Sequence, residues 1–402
     1  MNAHWTSAPL RTVLERVERP ESVDPSRTYR LLGVKLYCQG ARLQDTVAGD
    51  SLKTPKLFRV EEGDITYNKM WVTKGAYAVL RAEHHGAHAT SEYPTFRPRA
   101  SGLDRDFFEY VMQTEAFQAV AASRCSGSTS RARLHPEEFL DVEIPLPPLA
   151  EQKKIAAILS SVDEAIRANE AVIEQTRRVK EGLLQELLTR GIGHTEFRET
   201  EIGPLPVGWT APLLDEVAAR GSGHTPSKSH PEYWNGGIQW VSLADSSELD
   251  RVHLSTTAKT ISHLGIENSS AVIHPAGTVF VSRDASVGRS AISTCELAVS
   301  QHFIAWVCGP SLDKYYLYYF LQRNKPDFER VAMGSTIKTI GLGYFKRLRV
   351  PLPPLYEQQR IANTLLSHDE SIFAAASAIA GLQRLKSGLL QDLLTGKVRV
   401  SP

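Results

Sequence analysis

Two stretches of this chain, 206 residues apart, are copies of one another. Pro145-Leu-Pro-Pro-Leu-Ala-Glu-Gln152 returns as Pro351-Leu-Pro-Pro-Leu-Tyr-Glu-Gln358, and Lys180-Glu-Gly-Leu-Leu-Gln-Glu-Leu-Leu-Thr189 returns as Lys386-Ser-Gly-Leu-Leu-Gln-Asp-Leu-Leu-Thr395. No gap separates the two matches, and about 25 of the 45 positions aligned from Pro145 and Pro351 are identical, far above coincidence. A duplication kept in register through a turn, a helix and a helix end constrains the fold strongly. Whatever one copy builds, the chain builds twice.

Each copy reads as one long helix. The Pro-Leu-Pro-Pro run cannot be helical and sets a sharp start. Glu151 and Glu357 then fall in the first turn, where a carboxylate complements the helix dipole. Apolar residues follow in steps of three and four: Ile155, Leu159, Val162, Ile166, Ile173, Leu183 and Leu187 in the first copy, and Ile361, Leu365, Ile372, Ile379, Leu382, Leu389 and Leu393 in the second. That spacing draws a narrow coiled-coil seam. Asn169, Thr176, Lys180, His368 and Lys386 interrupt it, and such polar seam positions fix register and partner number. Gly191 and Gly396, just past the last apolar residues, read as C-terminal stops. A helix of about 40 residues is roughly 60 Å long. It needs a partner, and its own copy is the nearest candidate. Antiparallel pairing is expected to set the two preceding domains at opposite ends of a rod and to return the C-terminus beside the N-terminal domain.

The segments before each helix are weaker copies. Val60-Glu-Glu-Gly-Asp-Ile-Thr-Tyr-Asn-Lys69 resembles Ile273-His-Pro-Ala-Gly-Thr-Val-Phe-Val-Ser-Arg283: an apolar residue, a turn at Gly63 or Gly277, a strand, then a cation. Gly127-Ser-Thr-Ser130 resembles Gly334-Ser-Thr-Ile337, and Phe139 matches Phe345 at the 206-residue offset of the helix copies. Aromatic-rich stretches from Asp106 to Val120 and from Asp313 to Phe328 read as helical, while Thr278–Ser282 and Ala298–Trp306 alternate as strands do. The expected fold is therefore mixed α/β (α+β). Two globular domains (residues 1–144 and 193–350) are joined by two long antiparallel coiled-coil helices (145–192 and 351–402), with an internal pseudo-twofold repeat. The helices stayed alike while the domains drifted, as expected if the helices meet one common partner and the domains read different things.

This layout resembles the specificity subunit of Type I restriction-modification systems over essentially the whole chain. The paired Pro-Leu-Pro-Pro-Leu-x-Glu-Gln turns carry the resemblance. The second domain adds Gly203-Pro-Leu-Pro-Val-Gly-Trp209, Gly223-His-Thr-Pro-Ser227, Tyr233-Trp234 and Ile238-Gln-Trp-Val241, which look like the usual opening of a target recognition domain. The first domain keeps Trp5 but lacks the Gly-x-Thr-Pro-Ser loop. The resemblance implies a non-catalytic, cytoplasmic, DNA-binding subunit that reads a bipartite site in double-stranded DNA. It implies docking through the helices to methyltransferase (modification) subunits, which bind S-adenosylmethionine and methylate adenine. It also implies a separate restriction/translocase subunit that uses ATP.

Base readout needs polar or cationic side chains on exposed loops, with phosphate contacts beside them. The candidates are Lys69, Lys74, Arg97, Arg99, Ser128, Arg131 and Arg133 in the first domain, and Lys228, Arg283, Arg289, Ser335 and Lys338 in the second. Any one of them alone reads as a solvated surface charge. As a set they gain weight because Lys69 with Arg283, and Arg131 with Lys338, fall in corresponding segments. Trp234 and Trp240 read as core rather than as base-stacking residues.

The net charge is +1, from 46 Lys and Arg against 45 Asp and Glu. That balance argues against strong solitary DNA binding and permits a reader whose partner supplies much of the positive field. Cys38, Cys125, Cys295 and Cys308 form no Cys-x-x-Cys pair and read as reduced thiols. No apolar run approaches the roughly 20 residues of a membrane span, and no export signal is read at the N-terminus. His84, His85 and His88 lie close together beside Glu83 but fit no standard zinc spacing. Gly221-Ser-Gly-His-Thr-Pro-Ser-Lys228 lacks the ending of a phosphate loop. No dinucleotide, methyltransferase, nuclease or nucleophile-elbow motif is found, so no catalytic residue, no cofactor and no metal is assigned to this chain. Two alternatives stay open at this point: a coiled-coil adaptor without DNA readout, and a DNA methyltransferase or nuclease with disguised motifs.

Overall fold

A computed structural model describes residues 5–99, 102–127, 132–334 and 338–400. The chain forms two compact units, Met1–Ala168 with Ala378–Pro402, and Asn169–Ser377. The unit boundary falls inside both long helices, which run from Leu149 to Leu187 and from Leu355 to Leu394. Each unit therefore holds one globular domain, the first part of the helix that follows it, and part of the other helix.

In the first unit, Thr6–Pro9 pairs antiparallel with Glu143–Leu146, the strand that leads into the first long helix. A four-stranded sheet orders Leu14–Val17, Thr95–Pro98, Ile65–Tyr67 and Tyr77–Val79 as neighbours. A five-stranded sheet orders Pro20–Ser22, Lys56–Arg59, His88–Ala89, Thr28–Val34 and Ala41–Ala48. The expected helical stretch is two helices, Arg105–Gln113 and Glu115–Ser123, broken at Thr114. Asp104 caps the first by accepting from the amides of Asp106 and Phe107. Tyr67, Phe96, Phe117 and Phe139 pack into one aromatic core, the Tyr67 and Phe139 rings 4.6 Å apart. Ile155 and Leu159 of the first long helix and Leu393 and Leu394 of the second are buried in that core. Each such side chain contributes about 1.5–3 kcal/mol.

The second unit repeats the scheme. A five-stranded sheet orders Ala218–Ser222, Phe303–Cys308, Val279–Ser282, Ser290–Ser293 and His253–Leu254. A smaller sheet joins Thr260–Ile261, Trp234–Val241 and Leu297–Val299. Asp313 caps the helix Lys314–Arg323 through the amides of Tyr315 and Tyr316, and the helix Lys325–Val331 follows. Leu188, Ile361 and Leu365 are buried in this core beside Trp209 and Trp306. The run from Ala298 to Trp306, read above as one strand, is two: Leu297–Val299 and Phe303–Cys308. A polar turn at Ser300, Gln301 and His302 separates them, closed by Phe303 N–H donating to Ser300 O at 3.0 Å.

Within each unit the long helices lie together. All fourteen apolar seam residues are buried or half-buried. The two lysine interruptions are paired. In the first unit Lys386 Nζ lies 2.8 Å from Asp163, whose other oxygen accepts from the Tyr110 hydroxyl at 2.9 Å. In the second, Lys180 Nζ lies 2.6 Å from Asp369, which accepts from the Tyr319 hydroxyl at 2.8 Å. Low residue numbers on one helix meet high numbers on the other, so the helices run antiparallel in each unit.

Both helices begin with the same clamp. Gln152 accepts from the Asp104 amide and donates to Pro147 O, and Gln358 accepts from the Asp313 amide and donates to Pro353 O. Glu151 and Glu357 do more than complement a helix dipole, since they are only 2% and 3% exposed. Glu357 accepts from the Trp209 indole (3.1 Å) and the Ile192 amide (3.0 Å) and meets His194 Nε2 at 2.8 Å. Glu151 accepts from the Trp5 indole (3.2 Å) and from Arg399 (2.7 and 2.8 Å). Gly191 and Gly396 turn the chain out of each helix at φ of +67° and +72°, against Trp209 and Trp5 respectively.

Candidate nucleic-acid interface

Three loops meet in each globular domain, joined by the same backbone bonds. In the first domain, Lys69 N–H donates to Glu92 O at 3.0 Å and Leu134 N–H donates to Lys69 O at 3.1 Å. In the second, Arg283 N–H donates to His302 O at 2.9 Å and Ile340 N–H donates to Arg283 O at 2.9 Å. The third loop leaves through the pairs Ser126–Arg133 and Met333–Thr339. Identical junctions carry different side chains, so position is common to the two domains and chemistry is not.

In the first domain Arg133 Nε donates to Glu92 at 3.3 Å, and its guanidinium reaches Met70 Sδ at 3.4 Å. Burial pushes the neighbouring Lys69 ammonium below its usual value, against the opposing pull of Glu92. Lys74 is exposed in the same loop as the half-exposed Trp71. Arg97 turns elsewhere: its Nε donates to Asp64 and its Nη2 to Glu61, both at 2.8 Å, and Arg19 completes the pairing of the fully buried Asp64. Arg99 is exposed, 3.8 Å from Glu15. Ser128, Arg131 and Ser335 lie outside the described residues.

In the second domain Arg283 Nε donates to Ile340 O at 3.0 Å and lies 3.7 Å from Asp284. Lys338 is exposed, and its carbonyl accepts from the Ala285 amide at 3.0 Å. Arg289 donates instead to Ser246 O at 2.6 Å and stands 4.0 Å from Asp250. Lys228 is exposed at the end of the Gly223–Ser227 loop. That loop is pinned by indoles, Trp240 Nε1 donating to His224 O at 3.0 Å and Trp234 Nε1 to Ser227 O at 3.2 Å. The two tryptophans thus hold a loop in place.

The structure brings together Lys69 with Arg133, and Arg283 with Lys338. It turns Arg97 and Arg289 toward carboxylates and carbonyls of their own domain. The candidate list omitted Glu92, Gln301, His302, Thr225 and Asp284, which sit at the loop junctions. The signal for two of them was present: Ser-Gln-His is a polar trio inside an otherwise apolar run. The histidines near Glu83 go three ways. His84 Nδ1 accepts from the Arg81 amide, His85 Nδ1 from the Glu62 amide, and His88 Nε2 faces Glu21. Among the described residues no group of three or more His, Cys, Asp or Glu is placed to hold a metal ion, and no helix is long and apolar enough to cross a membrane.

Comparison with known proteins identifies this architecture. The profile of the Type I restriction modification DNA specificity domain matches twice, over residues 24–177 and 206–379. The MjaX specificity subunit of Methanocaldococcus jannaschii, described as a type I restriction enzyme subunit, is 25% identical over 381 residues, 89% of this chain and 86% of that one. The HindI specificity subunit of Haemophilus influenzae is 19% identical across 90% of this chain and 91% of its own. The crystal structure of the type I S subunit from M. genitalium superposes with a TM-score of 0.60 at 15% identity, covering 98% of this chain and 97% of that one. The chain belongs to the Type I restriction-modification DNA specificity family, as a non-catalytic specificity subunit with two target recognition domains.

Proposed function

We propose that each domain of this subunit reads one half of a bipartite site in double-stranded DNA with its three-loop junction, Lys69, Lys74 and Arg133 serving the first half and Arg283, Lys338 and Lys228 the second. The observation that carries this reading is the pair of identical loop junctions bearing different side chains, since two readers of unlike half-sites need common positioning and private chemistry. The long helices dock methyltransferase subunits, and a restriction/translocase subunit joins the complex. S-adenosylmethionine and ATP are bound by those partners. The near-neutral charge of the chain accords with partners that supply part of the positive field.

The test is a domain replacement. Residues 1–144 are exchanged for the matching domain of a relative, and adenine methylation is mapped in cells that carry the partner subunits. One half of the methylated motif should change and the other should stay. A change in both halves, or in neither, refutes independent reading.

A further inference from the structure

Gln301 is exposed, yet its side chain is held at one end by another loop and at the other by its own neighbour His302. Thr225 Oγ1 donates to Gln301 Oε1 at 2.5 Å. Gln301 Nε2 lies 3.4 Å from His302 Nε2, and His302 Nδ1 lies 2.7 Å from Asp284 Oδ2. Asp284 is 9% exposed, so its carboxylate is a fixed anchor beside Arg283. In the tautomer that gives Nδ1–H to that carboxylate, Nε2 accepts one Gln301 amide hydrogen. The amide is thereby oriented from both sides. Among the described residues the amide meets no further partner, which leaves one N–H and one carbonyl lone pair on an exposed side chain.

We propose that Gln301 is a specificity-determining residue that reads an adenine in the half-site of the second domain, with Thr225, His302 and Asp284 positioning its amide. This rests on the reading that the domain binds DNA. A free donor beside a free acceptor matches the N7 and N6 edge of adenine in the major groove, the pairing that Gln makes in two bonds. Ordering a long exposed side chain costs rotamer entropy, and the fold gains little from it. The Gly223–Ser227 loop is already secured by His224 N–H donating to Val299 O and by the two indoles. Preorganisation for a ligand accounts for the arrangement, because a reader fixed in its bound pose has less freedom to lose. The corresponding junction of the first domain carries Glu92 in place of His302, with exposed Ser91 before it. The device therefore belongs to one half-site only.

The full chain, assembled with its modification subunits, is used to select sites from a randomised duplex library. The wild type should enrich a bipartite motif with an adenine at one position of the second domain's half. Gln301→Ala should lower the preference at that position by roughly 10- to 100-fold and leave every other position alone. Gln301→Glu, which offers only acceptors, should shift the same position toward cytosine. Thr225→Val and Asp284→Asn should blur that position without moving the others, a readout that a merely structural role would not produce. An unchanged motif for both Gln301 variants overturns the proposal, as does a change at a base other than adenine. Unchanged motifs for Thr225→Val and Asp284→Asn overturn the positioning role. A wild-type complex that enriches no sequence overturns the DNA-reading assignment, and this proposal with it.

Discussion

Replacing Glu357 with alanine should loosen the whole second unit. The carboxylate is 3% exposed and meets three partners, Trp209 Nε1 at 3.1 Å, the Ile192 amide at 3.0 Å and His194 Nε2 at 2.8 Å. Truncation leaves the indole N–H of Trp209, itself 1% exposed, without an acceptor. An orphaned buried donor costs about 1–3 kcal/mol. Loss of the Ile192 bond adds roughly 1 kcal/mol, and the one buried methylene that alanine lacks adds about 0.8 kcal/mol. Relief from burying a charge offsets part of this. The net expectation is about 3 kcal/mol, in the upper range for single substitutions. Glu181→Ala, on an exposed turn of the first long helix, is the control and should stay within about 0.5 kcal/mol. Two units need not unfold together, so the assay is amide hydrogen exchange resolved by peptide, read over residues 189–215 and 348–362. Protection there should fall about 100-fold in Glu357→Ala, the equivalent of about 3 kcal/mol at 1.4 kcal/mol per decade. Exchange equal to that of the Glu181→Ala control would refute the clamp.

Three further outcomes are expected. The Arg399 guanidinium holds the Glu151 carboxyl below the usual carboxylate value, against its burial and with help from Trp5 and Val400; a depressed carboxylate stabilises the fold above its unfolded pKa of about 4.3 and loses that contribution as pH falls through the folded value. Glu151→Gln should therefore show a shallower loss of first-unit protection between about pH 5 and pH 3 than the wild type, and equal slopes would contradict this. Burial pushes the Cys38 thiol up to about 11 and the Cys308 thiol up to about 12, so at pH 8 both should alkylate far more slowly in the native protein than in guanidinium chloride; native rates equal to denatured ones would show that the sites are open. If Lys74 and Lys338 contact phosphates, each alanine variant of the assembled complex should reduce the salt dependence of DNA binding by about one counterion with the recognised sequence unchanged, and an altered motif would move that lysine to the base-reading class.

The helices were legible because their signals are local and repeated. A proline-set start, a three-four apolar period and a terminal glycine each act within a few residues, and the second copy repeated the test on Ile361, Leu365 and Gly396. The roles of Glu151 and Glu357 were not legible. A carboxylate in a first helical turn looks like a dipole partner, and only the fold brings Trp5 and Arg399 to one and Trp209 and His194 to the other. The interface was half legible for the same reason. Searching for cations found Lys69 and Arg283, whose own backbone N–H and C=O form the junction. It also gathered Arg97, whose partner Asp64 comes beside it only because Thr95–Pro98 pairs with Ile65–Tyr67. It passed over Gln301, which carries no charge and becomes notable only when Thr225 and His302 grip it from two sides.

On the proposed function, that division follows from what each part has to do. The helix starts repeat down to single hydrogen bonds: Gln152 with Asp104 and Gln358 with Asp313, Tyr110 with Asp163 and Tyr319 with Asp369. The loop junctions repeat only in their backbone bonds, while Glu92 stands where His302 does. A surface that meets the same kind of partner twice is held to one geometry, and buried, fully satisfied polar groups enforce it because any change leaves an orphan. A surface that reads different bases must vary its side chains, and it can do so cheaply only if the backbone beneath them is fixed by bonds that side chains do not make. The junctions at Lys69 and Arg283 are bonds of that kind, and on the proposed reading they let the two domains differ in target without differing in how they present it.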